Sequence, residues 1–320
     1  MTAPSGSHRS RRVGVLYGGP SAEREVSLVS GKEVADALRQ RGYKGVSLID
    51  VGPDLPAQLR KRRIDVVFNA LHGKVGEDGC VQGLLEVMGI PYTGSGVTAS
   101  ALCMDKVLTK EVLVRNRIPT PPYQVLAGKG HVTVKLPLPV VVKPRSEGSS
   151  IGVTIVRRQR DVASAVREAC RSDRDALVES YVPGKEITVG ILNGEALGVT
   201  EIRPAKGFYD FKTKYTSGMA SHVFPAPLPG PLYRKAMRLA ARTCALLGCE
   251  GAPRVDFRIS PEQRLYALEV NTLPGMTPLS LLPEIAAGVG MDFGNLVERI
   301  LDRAALKNAA AGQARETANG

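Results

Sequence analysis

The segment from residue 254 to residue 271 contains two stretches of alternating polar and apolar residues, joined by a short Pro-Glu-Gln turn. Alternation with a period of two is typical of strands that bury one face, so this segment is predicted to be a β-hairpin. A two-residue loop at 262–263 would pair residues whose numbers add to 525, which places Asp256 opposite Glu269. The other face of the hairpin then carries Val255, Phe257, Leu268 and Val270.

The polar face of this hairpin gathers oxygen ligands. In the same register Arg254 pairs with Asn271, on the face that carries the two carboxylates. Two carboxylates directly across a ladder, with side-chain carbons about 5 Å apart, repel each other and destabilise the hairpin. A divalent cation removes that penalty, and carboxylate and amide oxygens are ligands that Mg²⁺ takes. We therefore predict that Asp256, Glu269 and Asn271 bind metal; the alternative is an exposed hairpin whose carboxylates are in water or paired with arginines.

The overall composition favours a cytoplasmic protein of about two or three domains. Residues 4–12 are too polar for a secretory signal, and no apolar run approaches the roughly 20 residues that span a bilayer. The five cysteines are scattered without a CxxC pair, which is typical of reduced thiols. The net charge of +12 could indicate nucleic-acid binding, but the basic clusters lack interleaved aromatic residues. Solvated basic surface is therefore favoured, and a polyanionic nucleotide would also suit the positive field.

Residues 13–95 alternate predicted strands and helices. The strands are predicted at 13–17, 46–50, 65–70 and 91–93, and the helices at 24–40, 55–61 and 79–88. This alternation implies a parallel sheet covered on both faces, with ligands beyond the carboxyl ends of its strands. The loops at 18–21 and 72–73 follow strand ends, so we expect both to line that crevice.

The rest of the chain is predicted to be α+β. A helix at 99–114 leads to a proline-rich linker at 118–122. Further strands are predicted at 140–142, 153–156, 177–179, 186–192 and 195–203, with helices at 160–169, 232–247 and 295–305.

Connecting segments in this part of the chain carry residues suited to a nucleotide. The Gly/Ser-rich loop at 144–152 follows Lys143, and its N–H groups and hydroxyls suit phosphate oxygens; the alternative is a flexible turn with a solvated lysine. The connector at 179–186 could bind adenine and ribose, or be a plain linker. The aromatic-bearing stretch at 202–230 has no regular pattern, which favours a lid over disorder. Gly275 could present an unobstructed N–H to an oxyanion.

Together these segments resemble the D-alanine–D-alanine ligases of the ATP-grasp superfamily. The resemblance runs from residue 13 to about residue 304 and depends on motifs in one order. They are Gly-Gly-Pro-Ser-Ala-Glu-Arg-Glu-Val-Ser at 18–27, Ala-Leu-His-Gly-Lys-Val-Gly-Glu-Asp-Gly at 70–79, Pro-Tyr-Thr-Gly-Ser-Gly at 91–96, Met-Asp-Lys at 104–106, Glu-Gly-Ser-Ser-Ile-Gly at 147–152, Lys-Tyr at 214–215 and Glu-Val-Asn-Thr-Leu-Pro-Gly-Met-Thr at 269–277. The chain departs from the family pattern at Arg145-Ser146, where the reverse order is more common, at Pro253 and at Leu279.

The resemblance implies substrate-binding and catalytic roles for matching residues. Glu23 would hold the ammonium group of the first D-alanine, with Ser149 and Tyr215 as its hydrogen-bonding partners. The remaining roles fall to His72 near the first substrate, to Arg254 and the Gly275 amide at the oxyanion, and to Ser280 at the carboxylate of the second D-alanine.

The resemblance also implies the nucleotide and metal ligands. The phosphates of ATP would be bound by Lys106, Lys143 and, from the lid, Lys214. The adenine and ribose contacts would be Glu179, Tyr181, Val182 and Glu186. The metal ligands Asp256, Glu269 and Asn271 match the hairpin prediction, and the resemblance implies two Mg²⁺ or Mn²⁺ ions.

The implied architecture is an α/β and α+β ATP-grasp fold, in which an N-terminal parallel-sheet domain precedes two α+β subdomains that sandwich ATP. The expected divisions are a disordered tail at 1–12, a substrate-binding domain at 13–98, a central subdomain at 99–185, a C-terminal subdomain at 186–308 with the lid at 203–230, and a flexible tail at 309–320. The resemblance further implies a homodimer that binds neither nucleic acid nor membrane.

The implied activity is the ATP-dependent joining of two D-alanines through an acyl phosphate, for peptidoglycan synthesis. A ligase that takes D-lactate or D-serine second is the alternative within the fold, and Lys214-Tyr215 favours D-alanine. A dinucleotide-binding oxidoreductase would depend on residues 13–19 alone, lacks GxGxxG and explains none of the carboxylates.

Overall fold

A computed structural model describes residues 8–129, 132–204 and 220–308 of the chain. The described strands form three sheets, of three, four and five strands. The mixed α/β class predicted from the sequence is confirmed, since the three-stranded sheet is parallel and the other two are antiparallel. Among the described residues, no helix is long and apolar enough to cross a membrane.

The N-terminal sheet has the order β2-β1-β3, and both of its pairings are parallel. Its elements are β1 (Arg12–Tyr17), α1 (Arg24–Gln40), β2 (Gly45–Asp50), α2 (Leu55–Lys61), β3 (Val66–Asn69) and α3 (Cys80–Met88). The strand predicted at 91–93 is reduced to single bridges from Tyr92 to Val67 and to Ala305. Fully buried Val15 and Leu16 belong to different apolar clusters, as expected of a parallel sheet covered on both faces.

The four-stranded sheet has the order β4-β7-β5-β6. The elements of this region are α4 (Val97–Met104), α5 (Lys106–Arg115), β4 (Tyr123–Ala127), β5 (Val140–Pro144), β6 (Thr154–Val156), α6 (Val162–Ala169) and β7 (Asp175–Ser180). The prediction of one helix at 99–114 was wrong. Asp105 is extended and its carboxylate accepts from the N–H groups of Val107 and Leu108, so it ends α4 and caps α5.

The five-stranded sheet has the order β10-β9-β8-β11-β12. Its strands are β8 (Lys185–Leu192), β9 (Glu195–Pro204), β10 (Ala220–Val223), β11 (Arg254–Ile259) and β12 (Leu265–Asn271), and α7 (Gly230–Leu247) packs on it. The stretch predicted as a lid without regular structure thus begins in β9 and includes β10. Residues 205–219, with Lys214 and Tyr215, lie outside the described residues.

The hairpin register is confirmed at the carboxylates, although its loop was predicted wrongly. Arg254 pairs with Asn271 and Asp256 with Glu269, whereas Phe257 pairs with Ala267 because a bulge interrupts the ladder. The loop has three residues, since the N–H of Ser260 donates to the carbonyl of Arg264. The longer loop shifts the register by one residue, and the bulge shifts it back. The predicted pairs are therefore wrong only for the residues between the loop and the bulge. Leu268, predicted on the core face, lines a cavity instead, and Ala267 takes the core position.

The last two described helices return the chain to the N-terminal sheet. They are α8 (Leu281–Gly288) and α9 (Phe293–Leu301), and α9 packs against α1. On α9 the fully buried carboxylate of Glu298 pairs with Arg41 at 2.6 Å and with Arg9 at 2.9 Å. The prediction of a disordered tail up to residue 12 was therefore wrong for residues 8–12, which include Arg9 and the start of β1. Residues 1–7 and 309–320 lie outside the described residues.

Candidate active site

Two adjoining cavities lie between the sheets. The larger, of about 380 Å³, is bounded by strands of the four- and five-stranded sheets. The smaller, of about 90 Å³, lies between the N-terminal loops and the segment after the hairpin. Lys106, Glu147 and Glu269 line both cavities. The cavities therefore meet at the carboxylate face of the hairpin, where groups bound in one could react with groups bound in the other.

The larger cavity is lined by the residues that the resemblance implied as nucleotide ligands, apart from Lys214, which lies outside the described residues. Lys143, Glu179, Tyr181, Val182 and Glu186 all line it, together with Lys106, Asp256 and Glu269. Leu268 and Ile202 add apolar surface. A half-apolar pocket with a few fixed charges is the usual form of a small-molecule site.

Arg258, which sequence reasoning missed, fixes the connector at 179–186. Its guanidinium donates to the carbonyls of Val182 at 3.1 Å and Gly184 at 2.9 Å, and pairs with Glu186 at 3.3 Å. It also lies 5.7 Å from the ring centroid of Tyr181. The connector is therefore an ordered edge of the cavity rather than a plain linker. Alternation along β11 placed Arg258 on the face of Asp256, which was the only sequence signal for its role.

A chain of buried charges lies under the larger cavity. The carboxylate of Glu179 pairs with Lys143 at 2.6 Å on one side and with Lys110 at 2.6 Å on the other. Burial alone would lower the pKa of Lys143, but the carboxylates of Glu179, Glu269 and Glu186 outweigh it and raise that pKa. Burial also opposes the ionised form of Glu179, yet the two lysines hold the pKa of its carboxyl below the ordinary value. Sequence reasoning missed Lys110 altogether.

The hairpin face carries the donor set predicted for a metal. Asp256 and Glu269 lie directly opposite each other, and Asn271 follows Glu269 by two residues on the same strand. The hydroxyl of Thr188 donates to Asp256 at 2.5 Å, and the guanidinium of Arg254 pairs with Asp256 at 3.0 Å. Two carboxylates and an amide oxygen on one face fit Mg²⁺ or Mn²⁺. Among the described residues no group of three or more His, Cys, Asp or Glu side chains forms a metal site, so any ion would need further ligands from elsewhere, such as phosphate oxygens.

The smaller cavity brings together the residues that the resemblance implied for the substrates, apart from Tyr215, which lies outside the described residues. Glu23, His72, Ser149, Arg254, Gly275 and Ser280 line it. The hydroxyl of Ser149 donates to the carboxylate of Glu23. A Cβ atom at Gly275 would lie 2.6 Å from the hydroxyl of Ser280, so only glycine fits there without displacing that hydroxyl. Ser280 in turn accepts from the N–H of Thr277 at 3.0 Å, which fixes the loop before α8.

Both ring nitrogens of His72 are engaged by protein groups. Nδ1 lies 3.1 Å from the carbonyl of Leu273, and Nε2 lies 3.1 Å from the hydroxyl of Ser30. The N–H of Met276 donates to the same Ser30 hydroxyl at 3.1 Å. His72 lines the smaller cavity and also anchors both ends of the segment that holds Gly275.

Arg145, where the chain departs from the family pattern, points away from both cavities. Its guanidinium pairs with Asp105 at 2.7 Å and with Asp175 at 3.3 Å. The neighbouring carboxylate of Glu147 instead faces the cavities and pairs with Lys74 at 2.5 Å. The loop at 144–152 is thus joined to the N-terminal region through Glu147 and through Ser149.

Comparisons with known proteins agree with this geometry. The family model described as D-ala D-ala ligase C-terminus matches residues 113–302, and the one described as D-ala D-ala ligase N-terminus matches residues 51–95. The chain belongs to the D-alanine–D-alanine ligase family. A relative named D-alanine–D-alanine ligase from Geotalea uraniireducens is 53% identical over 302 residues, covering 93% of this chain and 97% of that protein. A relative from Geobacter sulfurreducens with the same name is 52% identical over 306 residues, covering 93% of this chain and 96% of that protein.

Solved structures of the family support the same fold. The D-alanine–D-alanine ligase of Bacillus anthracis complexed with ATP superposes with a TM-score of 0.81 at 33% identity, covering 91% of this chain and 96% of that one. A second structure of the Bacillus anthracis ligase gives a TM-score of 0.82 at 36% identity, with the same coverage of both chains. The ATP-grasp fold expected from the sequence is therefore confirmed for this member of the D-alanine–D-alanine ligase family.

Proposed function

We propose that this chain joins two D-alanines into D-alanyl-D-alanine at the expense of ATP, through an acyl phosphate, for peptidoglycan synthesis. The observation that carries the proposal is the position of Glu269 and Lys106 between two cavities. One cavity has the size and charge for a nucleotide, and the other presents a carboxylate, an arginine and a glycine loop suited to amino acids. The family supports the proposal, because the relatives it matches are ligases of this name.

The larger cavity is the proposed ATP site. Tyr181 and Val182 would contact adenine, Glu186 would bind ribose, and Lys106 and Lys143 would neutralise the phosphates. The structure of the Bacillus anthracis ligase with ATP supports this use of the fold. Lys214 is proposed to cover the terminal phosphate, although it lies outside the described residues. Glu179 differs from its expected role in that its carboxylate is enclosed by two lysines, so we assign it to the support of Lys143.

Asp256, Glu269 and Asn271 are the proposed ligands of Mg²⁺ or Mn²⁺. Such ions, two of them if the family pattern holds, would neutralise charge on the phosphates as the terminal phosphoryl group is transferred. The chain's own part is to hold these oxygens on one strand face and to balance Asp256 with Arg254. Arg254 also lines the smaller cavity, where its guanidinium would face the oxygen that gains charge when the amine attacks.

The smaller cavity is the proposed site of both D-alanines. Glu23, with Ser149 and Tyr215, would hold the ammonium group of the first, and Tyr215 lies outside the described residues. Gly275 would donate its N–H to the oxyanion, and Ser280 would bind the carboxylate of the second D-alanine. Leu279 is 54% exposed beside Ser280 and would present an apolar surface to that substrate.

The domain division, the cellular location and the oligomeric state are proposed as well. The three described sheets support a division into an N-terminal domain and two ATP-grasp subdomains, with boundaries near residues 98 and 185. Helix α9, which packs on α1, joins the first and last of these units. Cytoplasmic location is proposed from the composition of the chain, and a homodimer is proposed from the family resemblance. A second substrate other than D-alanine is not favoured, because the matched relatives are D-alanine–D-alanine ligases.

The test is release of ADP with D-alanine, L-alanine and a mixture of D-alanine and D-lactate, with products identified by mass. We expect ADP release that requires D-alanine and yields the D,D-dipeptide. Lys143→Met should weaken ATP binding, whereas Lys235→Met, which removes an exposed lysine of α7, should not. ADP release without D-alanine, or an ester as the main product, would contradict the proposed function.

A further inference from the structure

Lys110 is a charged residue that the proposed reaction does not use, and its side chain is fully buried. It lies on α5, and its ammonium group meets the carboxylate of Glu179 at 2.6 Å, the hydroxyl of Thr120 at 2.5 Å and the carbonyl of Pro121 at 3.3 Å. The group also lies 5.2 Å from the ring centroid of Tyr123. Because the side chain is fully enclosed, Lys110 cannot touch a nucleotide. Any effect it has on ATP must pass through a neighbour.

The sheet register explains why Glu179 is that neighbour. Glu179 on β7 pairs with Val141 of β5 and with Tyr123 of β4, while Lys143 pairs with Leu177. Glu179 and Lys143 are therefore diagonal neighbours on one sheet face, within reach of each other's side chains. The ammonium group of Lys110 lies over the ring of Tyr123, the residue that pairs with Glu179 across the ladder, so it approaches Glu179 from the same face. One carboxylate thus lies between two lysines, with only Lys143 facing the cavity.

The charges on this chain of three residues contribute to what the cavity presents to a phosphate, together with Lys106, Glu186 and Glu269 in its lining. With Lys110 present, two positive charges flank one negative charge, and the surplus positive charge lies at the cavity end. Without Lys110, Glu179 would be balanced by Lys143 alone, and the pair would be neutral. A buried carboxylate that loses one partner binds the other more closely, because an unpaired buried charge is costly. Lys143 would then be held back from the phosphates.

We propose that Lys110 is a positioning residue for ATP binding. It pairs with the Glu179 carboxylate on the side away from the cavity, so that the ammonium group of Lys143 remains available to bind the phosphates. This inference depends on the proposed ATP site and adds a residue to it. The competing account is purely structural. Lys110 donates to Thr120, whose hydroxyl donates to the carbonyl of Ala267 on β12, so its loss could simply loosen the hairpin.

The test measures binding of ATP and of adenosine by calorimetry in the whole protein. Lys110→Met should weaken ATP binding by about 10–100-fold, the range for loss of a charge-assisted contact, and leave adenosine binding nearly unchanged. Adding Glu179→Gln should restore much of the ATP affinity, because Lys143 no longer has a carboxylate to satisfy. Lys235→Met is the matched control, since it removes an exposed lysine of α7.

The two accounts make opposite predictions for the double variant. If Lys110 were only structural, the double variant would bind ATP no better than Lys110→Met, and ATP and adenosine would weaken together. Either result would overturn the proposal, as would unchanged ATP affinity in folded Lys110→Met. If Lys110→Met alone does not fold, the double variant, in which the buried charge is removed, should fold and bind ATP within about tenfold of the wild type. Failure of the wild type itself to bind ATP would instead overturn the proposed function.

Discussion

Replacing Arg254 by alanine should separate the electrostatic support of Asp256 from the chemistry at the smaller cavity. The guanidinium lies 3.0 Å from the Asp256 carboxylate, and the two side chains are only 10% and 9% exposed. Its Nε also donates to the hydroxyl of Thr188 at 3.0 Å, and that hydroxyl donates to Asp256. Within the described part of the chain, Arg254→Ala therefore leaves this buried carboxylate with the hydroxyl of Thr188 as its remaining donor.

The size of the effect follows from this geometry. At 3.0 Å and an effective dielectric constant of about 20, the Coulomb attraction is about 5.5 kcal/mol. Removal of one member of a buried pair typically costs about 3–5 kcal/mol, so we expect a loss of stability of that order without metal or nucleotide. A divalent cation bound to Asp256 would replace the missing positive charge. The loss of stability should therefore shrink when Mg²⁺ and ADP are present.

The assay compares thermal unfolding with and without Mg²⁺ and ADP, alongside steady-state kinetics. Loss of one oxyanion donor costs about 10²–10³ in kcat, which we expect for Arg254→Ala with nearly unchanged affinity for ATP. Arg254→Lys should regain stability but little of kcat, because an ammonium group lacks the planar fork. Arg39→Ala, which breaks an exposed pair with Asp36, should cost no more than about 1 kcal/mol. Full recovery of kcat by lysine, or a kcat within threefold of wild type in the alanine variant, would refute the assignment.

Three further predictions follow from the described contacts. Glu269→Gln should lower turnover by more than about 100-fold, because it removes a charge from the proposed metal face. The control Glu262→Gln, at the exposed hairpin turn, should not lower it. Equal kcat for Glu269→Gln and wild type at ordinary Mg²⁺ would contradict the metal site. Leu268→Ala should weaken ATP binding about tenfold in calorimetry by removing apolar surface from the cavity, and unchanged affinity would place adenine elsewhere. The hydrogen bond from Arg12 lowers the pKa of Asp65, so the stability it contributes is present above about pH 4 and lost as the pH falls through the folded-state pKa. The difference in melting temperature between Asp65→Asn and wild type should disappear at acid pH; a constant difference would show that the ion pair is not its cause.

Regular periodicity predicted the elements of this fold well, and local breaks in it were the main source of error. Helices α1 and α2 have the predicted bounds. The break between α4 and α5 was missed because Asp105 lies within an otherwise helical pattern, and its capping role depends on the extended conformation it adopts. Strand β4 and helix α8 were not predicted from their short patterns.

Some residues of the candidate site could be predicted from the sequence and others could not. Residues in motifs, such as Glu23, Lys143 and Asp256, could be identified from the sequence and lie together in the two cavities. Lys110 and Arg258 could not, because each acts through a partner far away in sequence and neither residue type is unusual at its position. The contacts of Lys110 and Arg258 form only when distant elements pack together, and the local sequence around each residue does not encode that packing.

The hairpin shows why a wrong local prediction can still give the right site. A strand that slips by one residue turns every side chain to the other face, so a three-residue loop alone would have moved Glu269 into the core. The bulge at Leu268 adds one residue to β12, returns Glu269 to the face of Asp256, and leaves Leu268 on the cavity side. The burial of Val255 and Val270 and the placement of the carboxylates impose the register at the site end. The loop length and the bulge each shift the register by one residue, and only the sum of the two shifts determines whether Glu269 pairs with Asp256.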